Sequence, residues 1–307
     1  MLTSFFSNSR PANFIMVSLY LIFGLFFYLF FEEKIDISFS IFSQLFLSII
    51  AYLFLIFLIN FIIRKNNLTK TNSYSIIIFS VLMLLFPAIF HEKEVVVSNI
   101  FLLLALRRVV SLPSGKNTQK KIFDASIWIA IATIFYFWSI LFFIVLFIII
   151  LKIGPQKGTH FLIPFVGFIT VFVLTTVYYL LTKDNYLWFL GIDTSVGFEF
   201  STYLTPSLFP SILFIIVTLI AAFIQNKLNK SLRPLKEKLL FTLLLVSLLI
   251  GFLIITITPN KNGSEFMFLF PPFAIFTAIL LERTPIFWVK EAYLWLAVFL
   301  PFLIYML

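Results

Sequence analysis

The stretch Lys120-Lys-Ile-Phe-Asp-Ala-Ser-Ile-Trp-Ile-Ala-Ile-Ala-Thr-Ile-Phe-Tyr-Phe-Trp-Ser-Ile-Leu-Phe-Phe-Ile-Val-Leu-Phe-Ile-Ile-Ile-Leu-Lys152 decides the fold. As one helix its apolar interior would be about 45 Å long, against a hydrocarbon core of about 30 Å. Lys120 and Lys121 precede it, and Lys152 and Lys157 follow. Loops rich in Lys and Arg stay cytoplasmic. Both ends of the run therefore belong on one side, which requires an even number of passes. The run is predicted to be a hairpin of two short helices, 123–136 and 138–151, turning near Phe137 and Trp138.

The same ruler, applied outward, finds spans at 13–31, 41–63, 73–90, 160–182, 206–224, 239–257, 266–281 and 288–306, with a further short segment at 95–106. This is an all-α, polytopic transmembrane bundle of about eleven membrane segments, with short or re-entrant helices in 95–151. Threading it from a cytoplasmic N-terminus puts eighteen of the 22 Lys and Arg on one side and leaves Lys34, Lys93, Lys183 and Lys261 on the other. A wrong span count would scramble that sorting. The C-terminus is then external. Residues 13–31 are too long and Phe-rich for a signal core and stay as the first helix. Residues 1–12, before them, read as an interfacial N-terminal segment. The short helices place 95–151 inside the bundle, sheathed by longer spans, and the whole chain, 1–307, reads as a single integral membrane domain.

Composition agrees. With 62% hydrophobic residues, 11% charged and a mean hydropathy of +1.10 over 307 residues, the lipid bilayer is the partner read first. The formal charge of +9 suggests nucleic acid only until it is divided by side. The excess lies in the cytoplasmic loops, where an anionic leaflet accounts for it, so no nucleic-acid partner is expected. With no cysteine in the chain, disulfides, thiolate nucleophiles and Cys-based metal sites are excluded. The 44 Phe residues read as lipid-facing and core filler. The one Gly-x-x-x-Gly pair, Gly154 with Gly158, lies in a polar loop and is no helix-packing motif.

Nine of the thirteen acids collect in the outer loops: Glu32, Glu33 and Asp36 beyond the first helix, Glu92 and Glu94 beyond the third, Asp184, Asp193 and Glu199 in a long loop, and Glu265 at a late helix start. The loop 183–205 interleaves aromatics with acids and reads as an external interfacial loop, a helix plus turn at the membrane boundary. Ser114-Gly-Lys-Asn-Thr118 lacks the first Gly and the final Ser or Thr of a phosphate loop. His91 and His160 fall on opposite faces and cannot share a metal. No paired mid-span acid of the proton-coupled kind is present. Asn99 reads as bonding a neighbouring helix, Arg107 and Arg108 as snorkelling to lipid phosphate, and Asp124 as stabilised at a helix start. What remains is the outer acid cluster. A carboxylate at the boundary, such as Glu32 or Glu33, can act as a general base on an acceptor hydroxyl.

The acidic loop after the first helix, the pair of short helices from Ile122, and Glu265-Phe-Met-Phe-Leu-Phe-Pro-Pro-Phe-Ala274 together resemble the GT-C-type polytopic glycosyltransferases. That resemblance implies a polyprenyl-phosphate-sugar donor used at the external face, with Glu32 or Glu33 as base. Asp36, Glu92 and Glu94 would shape the site or hold a divalent ion. Where that family carries a basic residue in its late Arg-Tyr segment, Ser264-Glu265 stands here, so Lys261 or Lys34 would have to substitute. The Ser4-Phe-Phe-Ser opening with Pro11-x-Asn13-Phe14 is similar to a family of multi-pass inner-membrane proteins from Bacteroidota, which implies a bacterial inner membrane and hence a periplasmic C-terminus, but no reaction. Two other functions fit the same residues: a non-catalytic subunit of a cell-envelope complex with other membrane protein subunits, and a lipid or glycan transporter.

Overall fold

The computed structural model describes residues 1–33, 39–153, 158–228 and 235–306, without side chains at 32–33, 39–44, 226–228 and 235–236. Among the described residues every regular element is helical. The α-helices are α1 (Leu2–Phe6), α2 (Pro11–Tyr28), α3 (Phe39–Asn66), α4 (Tyr74–Leu85), α5 (Lys93–Val110), α6 (Thr118–Phe135), α7 (Phe142–Lys152), α8 (Thr159–Lys183), α9 (Phe209–Leu228), α10 (Leu235–Ile257), α11 (Phe270–Arg283) and α12 (Phe287–Tyr305).

Among the described residues, seven segments can cross a membrane by length and composition: Pro11–Phe31, Leu45–Asn66, Lys93–Ser114, Thr159–Lys183, Glu237–Ile257, Ser264–Arg283 and Phe287–Tyr305. Tyr74–Leu85, Phe137–Lys152 and Phe209–Gln225 are apolar but shorter. The chain is thus a multi-pass, helical membrane protein, and the seven segments long enough to cross overlap the segments expected at 13–31, 41–63, 95–106, 160–182, 239–257, 266–281 and 288–306. Two lengths differ from the reading above. The segment expected at 95–106 is the longer helix α5, because the helix continues through Arg107 and Arg108. The segment expected at 73–90 stops at Leu85, because Pro87 forces Phe86 out of the helical region (φ −127°, ψ 73°), and a 3₁₀ turn follows over Pro87–Phe90.

The long run around Phe137 is broken as its flanking lysines require. Tyr136 is extended (φ −143°, ψ 108°) and a 3₁₀ turn spans Phe137–Leu141 before α7 begins. At the break the Tyr136 N–H donates to Ala132 O (2.9 Å) and the Ser139 N–H to Tyr136 O (3.0 Å), while Tyr136 Oη and Thr258 Oγ1 are 2.9 Å apart and Ser98 Oγ and Ser139 Oγ 2.6 Å.

The chain folds into two compact units. Unit 1 comprises Met1–Lys93, Glu199–Leu232 and Lys261–Leu307, and unit 2 comprises Glu94–Phe198 and Arg233–Asn260. In unit 1, α4 packs against α2, α3, α11 and α12. All twelve of its residues are buried, as expected of a helix that is apolar all round. Phe79 and Phe86 meet Phe270 of α11 at 6.1 and 5.7 Å between ring centroids. The sheathed elements are therefore α4 and α11. In unit 2, the region 95–151 carries buried residues, among them Leu103, Ile129 and Ile149, beside exposed ones such as Phe135 and Leu151. In unit 2, α6 and α8 meet where Gly167 passes Ser126, so closely that a Cβ on Gly167 would lie 1.8 Å from the Ser126 hydroxyl. A single glycine, rather than a Gly-x-x-x-Gly pair, allows this approach.

Two expectations in unit 2 need correction. Asn99 Nδ2 donates to Val95 O (3.1 Å), within its own helix rather than to a neighbour. Asp124 does not stand at a helix start, since α6 begins at Thr118; it pairs instead with Arg108 at 2.9 Å. The residues 183–205 form two 3₁₀ turns, Trp188–Gly191 and Ser201–Leu204, and no α-helix. Runs this short, interrupted by Gly191 and Gly197, do not nucleate one.

Candidate functional site at one end of unit 1

The polar groups of unit 1 gather at the two ends of α4, about 18 Å apart at 1.5 Å per residue. At its N-terminal end, Glu291 of α12 accepts from the Leu2 and Thr3 backbone N–H groups (2.8 and 2.9 Å), from the Thr3 hydroxyl and from Trp295 Nε1 (3.0 Å). Glu282 accepts from the Lys70 N–H (2.8 Å) and from Asn72 Nδ2. Tyr74 Oη donates to Thr3 O at 3.2 Å. The N-terminal segment, the 64–74 connection and the 282–291 connection thus meet at one end.

At the other end, the last carbonyls of α4 lack helical partners. Leu84 O accepts from the Tyr305 hydroxyl, and Leu85 O from Ser211 Oγ at 2.9 Å. Here Tyr28 packs against Phe90 (5.8 Å), His91 (6.4 Å) and Tyr305 (5.2 Å). One π-helical turn, Leu29–Glu33, continues α2 from Tyr28 and carries the backbone of Glu32 and Glu33.

Beside this end lies the candidate site. Glu265 is fully buried. It accepts from the Tyr203 hydroxyl and from the Gly263 N–H, 3.0 Å to Oε2 and 3.2 Å to Oε1. Gly263 holds φ +96°, a conformation that favours glycine, and a Cβ there would stand 2.9 Å from Leu208. Asn262 works in two directions. Its Oδ1 accepts from the Ser264 N–H (3.0 Å) and closes the turn, while its Nδ2 donates to Glu92 Oε1 at 2.8 Å.

Lys261 is 6% exposed, with Nζ 4.7 Å from the Phe200 ring centroid and 5.8 Å from that of Tyr203. Such ring faces attract a cation. Burial nevertheless pushes the Lys261 amine below the ordinary lysine range, and the Glu265 charge pulls it partly back. The arrangement sets one cation, two carboxylates and a phenol at the end of a membrane bundle, a combination able to hold an anionic group and to move a proton.

Of the residues singled out by sequence, the structure brings Glu92, Lys261 and Glu265 together. Glu94 stands exposed in the first turn of α5, where the helix dipole favours a carboxylate. The side chains of Glu32 and Glu33 lie outside the described residues, as does Asp36. Among the described residues, no three His, Cys, Asp or Glu side chains converge as metal ligands. Sequence reasoning missed Tyr203 and Asn262. The Asn262-Gly263 dipeptide was a turn signal that could have pointed to the second.

The family of unknown function DUF6427 matches the chain over residues 1–307. The chain belongs to that family. Comparison with curated proteins and with solved structures gave no match.

Proposed function

We propose that this member of DUF6427 is an enzyme of the bacterial inner membrane, a GT-C-like glycosyltransferase that takes a polyprenyl-phosphate-sugar donor at the external end of unit 1. One observation carries the reading: Glu92, Lys261, Glu265 and the turn that bears Glu32 and Glu33 come from distant parts of the chain and meet at the same end of one unit. Lys261 is the cation for the donor phosphate. Glu32 or Glu33 takes the proton of the acceptor hydroxyl as its oxygen bonds to the anomeric carbon and the bond from that carbon to the phosphate oxygen breaks, releasing polyprenyl phosphate. Glu92 and Glu265 hold the turn that presents Lys261, and Asp36 shapes the approach. The N-terminus is cytoplasmic and the C-terminus periplasmic in this reading. The meeting of the segments 1–13, 64–74 and 282–291 at the other end of unit 1 supports that orientation.

The test uses the full chain in proteoliposomes with a labelled polyprenyl-phosphate-sugar donor. The Glu32→Gln, Glu33→Gln double variant should bind the donor normally and lose transfer by roughly 10²-fold. Lys261→Met should instead weaken binding. Unchanged transfer by the double variant removes the transferase reading.

A second reading, a non-catalytic membrane subunit of an envelope complex, draws on a different observation: both oxygens of Glu265 are occupied by donors of its own chain, Tyr203 and Gly263. It expects Lys261→Met to disturb assembly with partner subunits and leave lipid binding unchanged.

A further inference from the structure

Unit 2 contains a half-open groove of about 220 Å³ that the site in unit 1 does not use. Its origin is the helix break. Because α6 ends at Phe135 and the 3₁₀ turn carries Phe137 aside, a notch is left beside Val171 and Phe172 of α8. The segment after α8 roofs it by folding back along that helix. Trp188 Nε1 donates to Thr176 Oγ1 at 3.0 Å, and the Trp188 ring lies against Phe172 (5.7 Å) and stacks on Tyr179 (5.4 Å). Trp188 is thereby drawn back alongside the span Thr159–Lys183.

The lining is almost wholly carbon, with Thr133 and Thr194 its two hydroxyl residues. The Thr133 hydroxyl is turned to Ile129 O at 2.9 Å. Water needs two to four polar partners to reside in a cavity, and such a lining stays dry. Only 17% of α8 is buried, and its outward residues, among them Phe165, Ile169 and Leu181, are exposed apolar side chains that belong against the bilayer. The medium able to fill the groove is therefore hydrocarbon. Beyond it stands a cation on an aromatic platform: Lys183 Nζ lies 4.9 Å over the Tyr179 ring, the same ring on which Trp188 stacks. Trp, Tyr and Lys at the end of a span mark the level of the phosphate headgroups.

We propose that this groove is a resident site for one acyl chain of a bilayer phospholipid, with the lipid phosphate held near Lys183. The break in the helix supplies the volume, the Trp188 roof separates the chain from the surrounding lipid, and the lysine fixes which end of the lipid faces outward. The site does not depend on the transferase reading of unit 1.

The experiment reconstitutes the full chain in nanodiscs with a phosphatidylglycerol that carries a photoactivatable diazirine on one acyl chain, and maps cross-links by mass spectrometry. Cross-links should concentrate on groove residues such as Val171 and Phe172 over the exposed Ile169 at the same depth on α8. Ile192→Trp, a change in a loop residue that lines the groove, should lower groove cross-linking about tenfold by filling it. Lys183→Ala should lower retention of the phospholipid through detergent washing while leaving the helix content unchanged. Leu181→Trp, on the lipid-facing side, should change neither. Equal labelling of the groove and of Ile169, unchanged labelling in Ile192→Trp, or retention of a polyprenyl phosphate in place of the phospholipid would each overturn the proposal.

Discussion

Ser264–Arg283 and Thr159–Lys183 are two long apolar segments that a hydropathy scan scores alike, yet 89% of the first and 17% of the second is buried in protein. The difference is one of surroundings. Around α11, Phe270, Phe79 and Phe86 interlock, and Pro271 and Pro272 occupy the first turn, where a missing N–H costs no helical bond. Along α8, aromatic and aliphatic side chains point outward to lipid. In a bilayer, lipid tails are as apolar as leucine, so apolarity carries no information about which helix is inside. Packing does.

The contrast would break first under truncation of matched phenylalanines. Phe270→Ala opens a cavity among rings that cannot collapse, and should cost about 3 kcal/mol in a reversible unfolding assay in bicelles. Phe165→Ala, at 58% exposed, exchanges ring for lipid and should stay within about 0.5 kcal/mol. Equal costs at the two positions would mean that α11 is not the sheathed helix.

A backbone change sharpens the same contrast at the mouth of α11. Gly263→Ala forces a Cβ into φ +96° and against Leu208, for an expected loss of about 1 to 3 kcal/mol in the same assay. Gly191, with open space where its Cβ would stand, should accept alanine with little change. The hydrogen bond from Tyr203 to Glu265 comes next. A double-mutant cycle with Tyr203→Phe and Glu265→Gln should give a coupling of about 1 kcal/mol, and a coupling near zero would deny that Tyr203 holds this carboxylate. The smallest effect belongs to the half-exposed Arg108–Asp124 pair of unit 2, where Asp124→Asn should cost less than about 1 kcal/mol and respond to salt.

Lys261 adds a dependence on pH. Its pKa lies below the ordinary lysine value because burial disfavours the cation. If Lys261 holds the donor phosphate as proposed, that binding should weaken as pH rises, and at a lower pH than the usual lysine value of about 10.4. Titrating the affinity for a polyprenyl phosphate between neutral and alkaline pH measures this. An affinity flat to the ordinary lysine range would place the anion elsewhere.

How much of this could be read from residues alone follows the physics of each feature. The helix break at Tyr136 was legible because two pairs of lysines oppose a single pass through lipid. The bonds of Glu282 and Glu291 to Lys70 and the N-terminal segment were not legible, because the residue count sorts loops by side and says nothing of which loops touch. Glu92, Lys261 and Glu265 stood out because charge is scarce in such a chain. The partnership of Tyr203 and Asn262 with those charges was not legible, since it depends on how two distant loops fold onto one another. The division into two units was equally hidden, because each unit is assembled from discontinuous pieces whose boundaries carry no compositional mark. The short helix α4 misled for a local reason. Its apolar run continues past Leu85, and only the geometry that Pro87 imposes on Phe86 ends it.

The bonds between Glu291 and the backbone of Leu2 and Thr3 join segments 289 and 288 residues apart. During synthesis the first helix leaves the ribosome long before α12 exists to receive it. The segment at residues 2–6 must wait beside the insertion machinery, unclamped, until α12 has been made. Unit 1 is therefore completed last although it begins first. A C-terminal truncation should strand its amino-terminal helices as substrates for membrane quality control, and a bulky fusion at the N-terminus should cost more yield than one at the C-terminus.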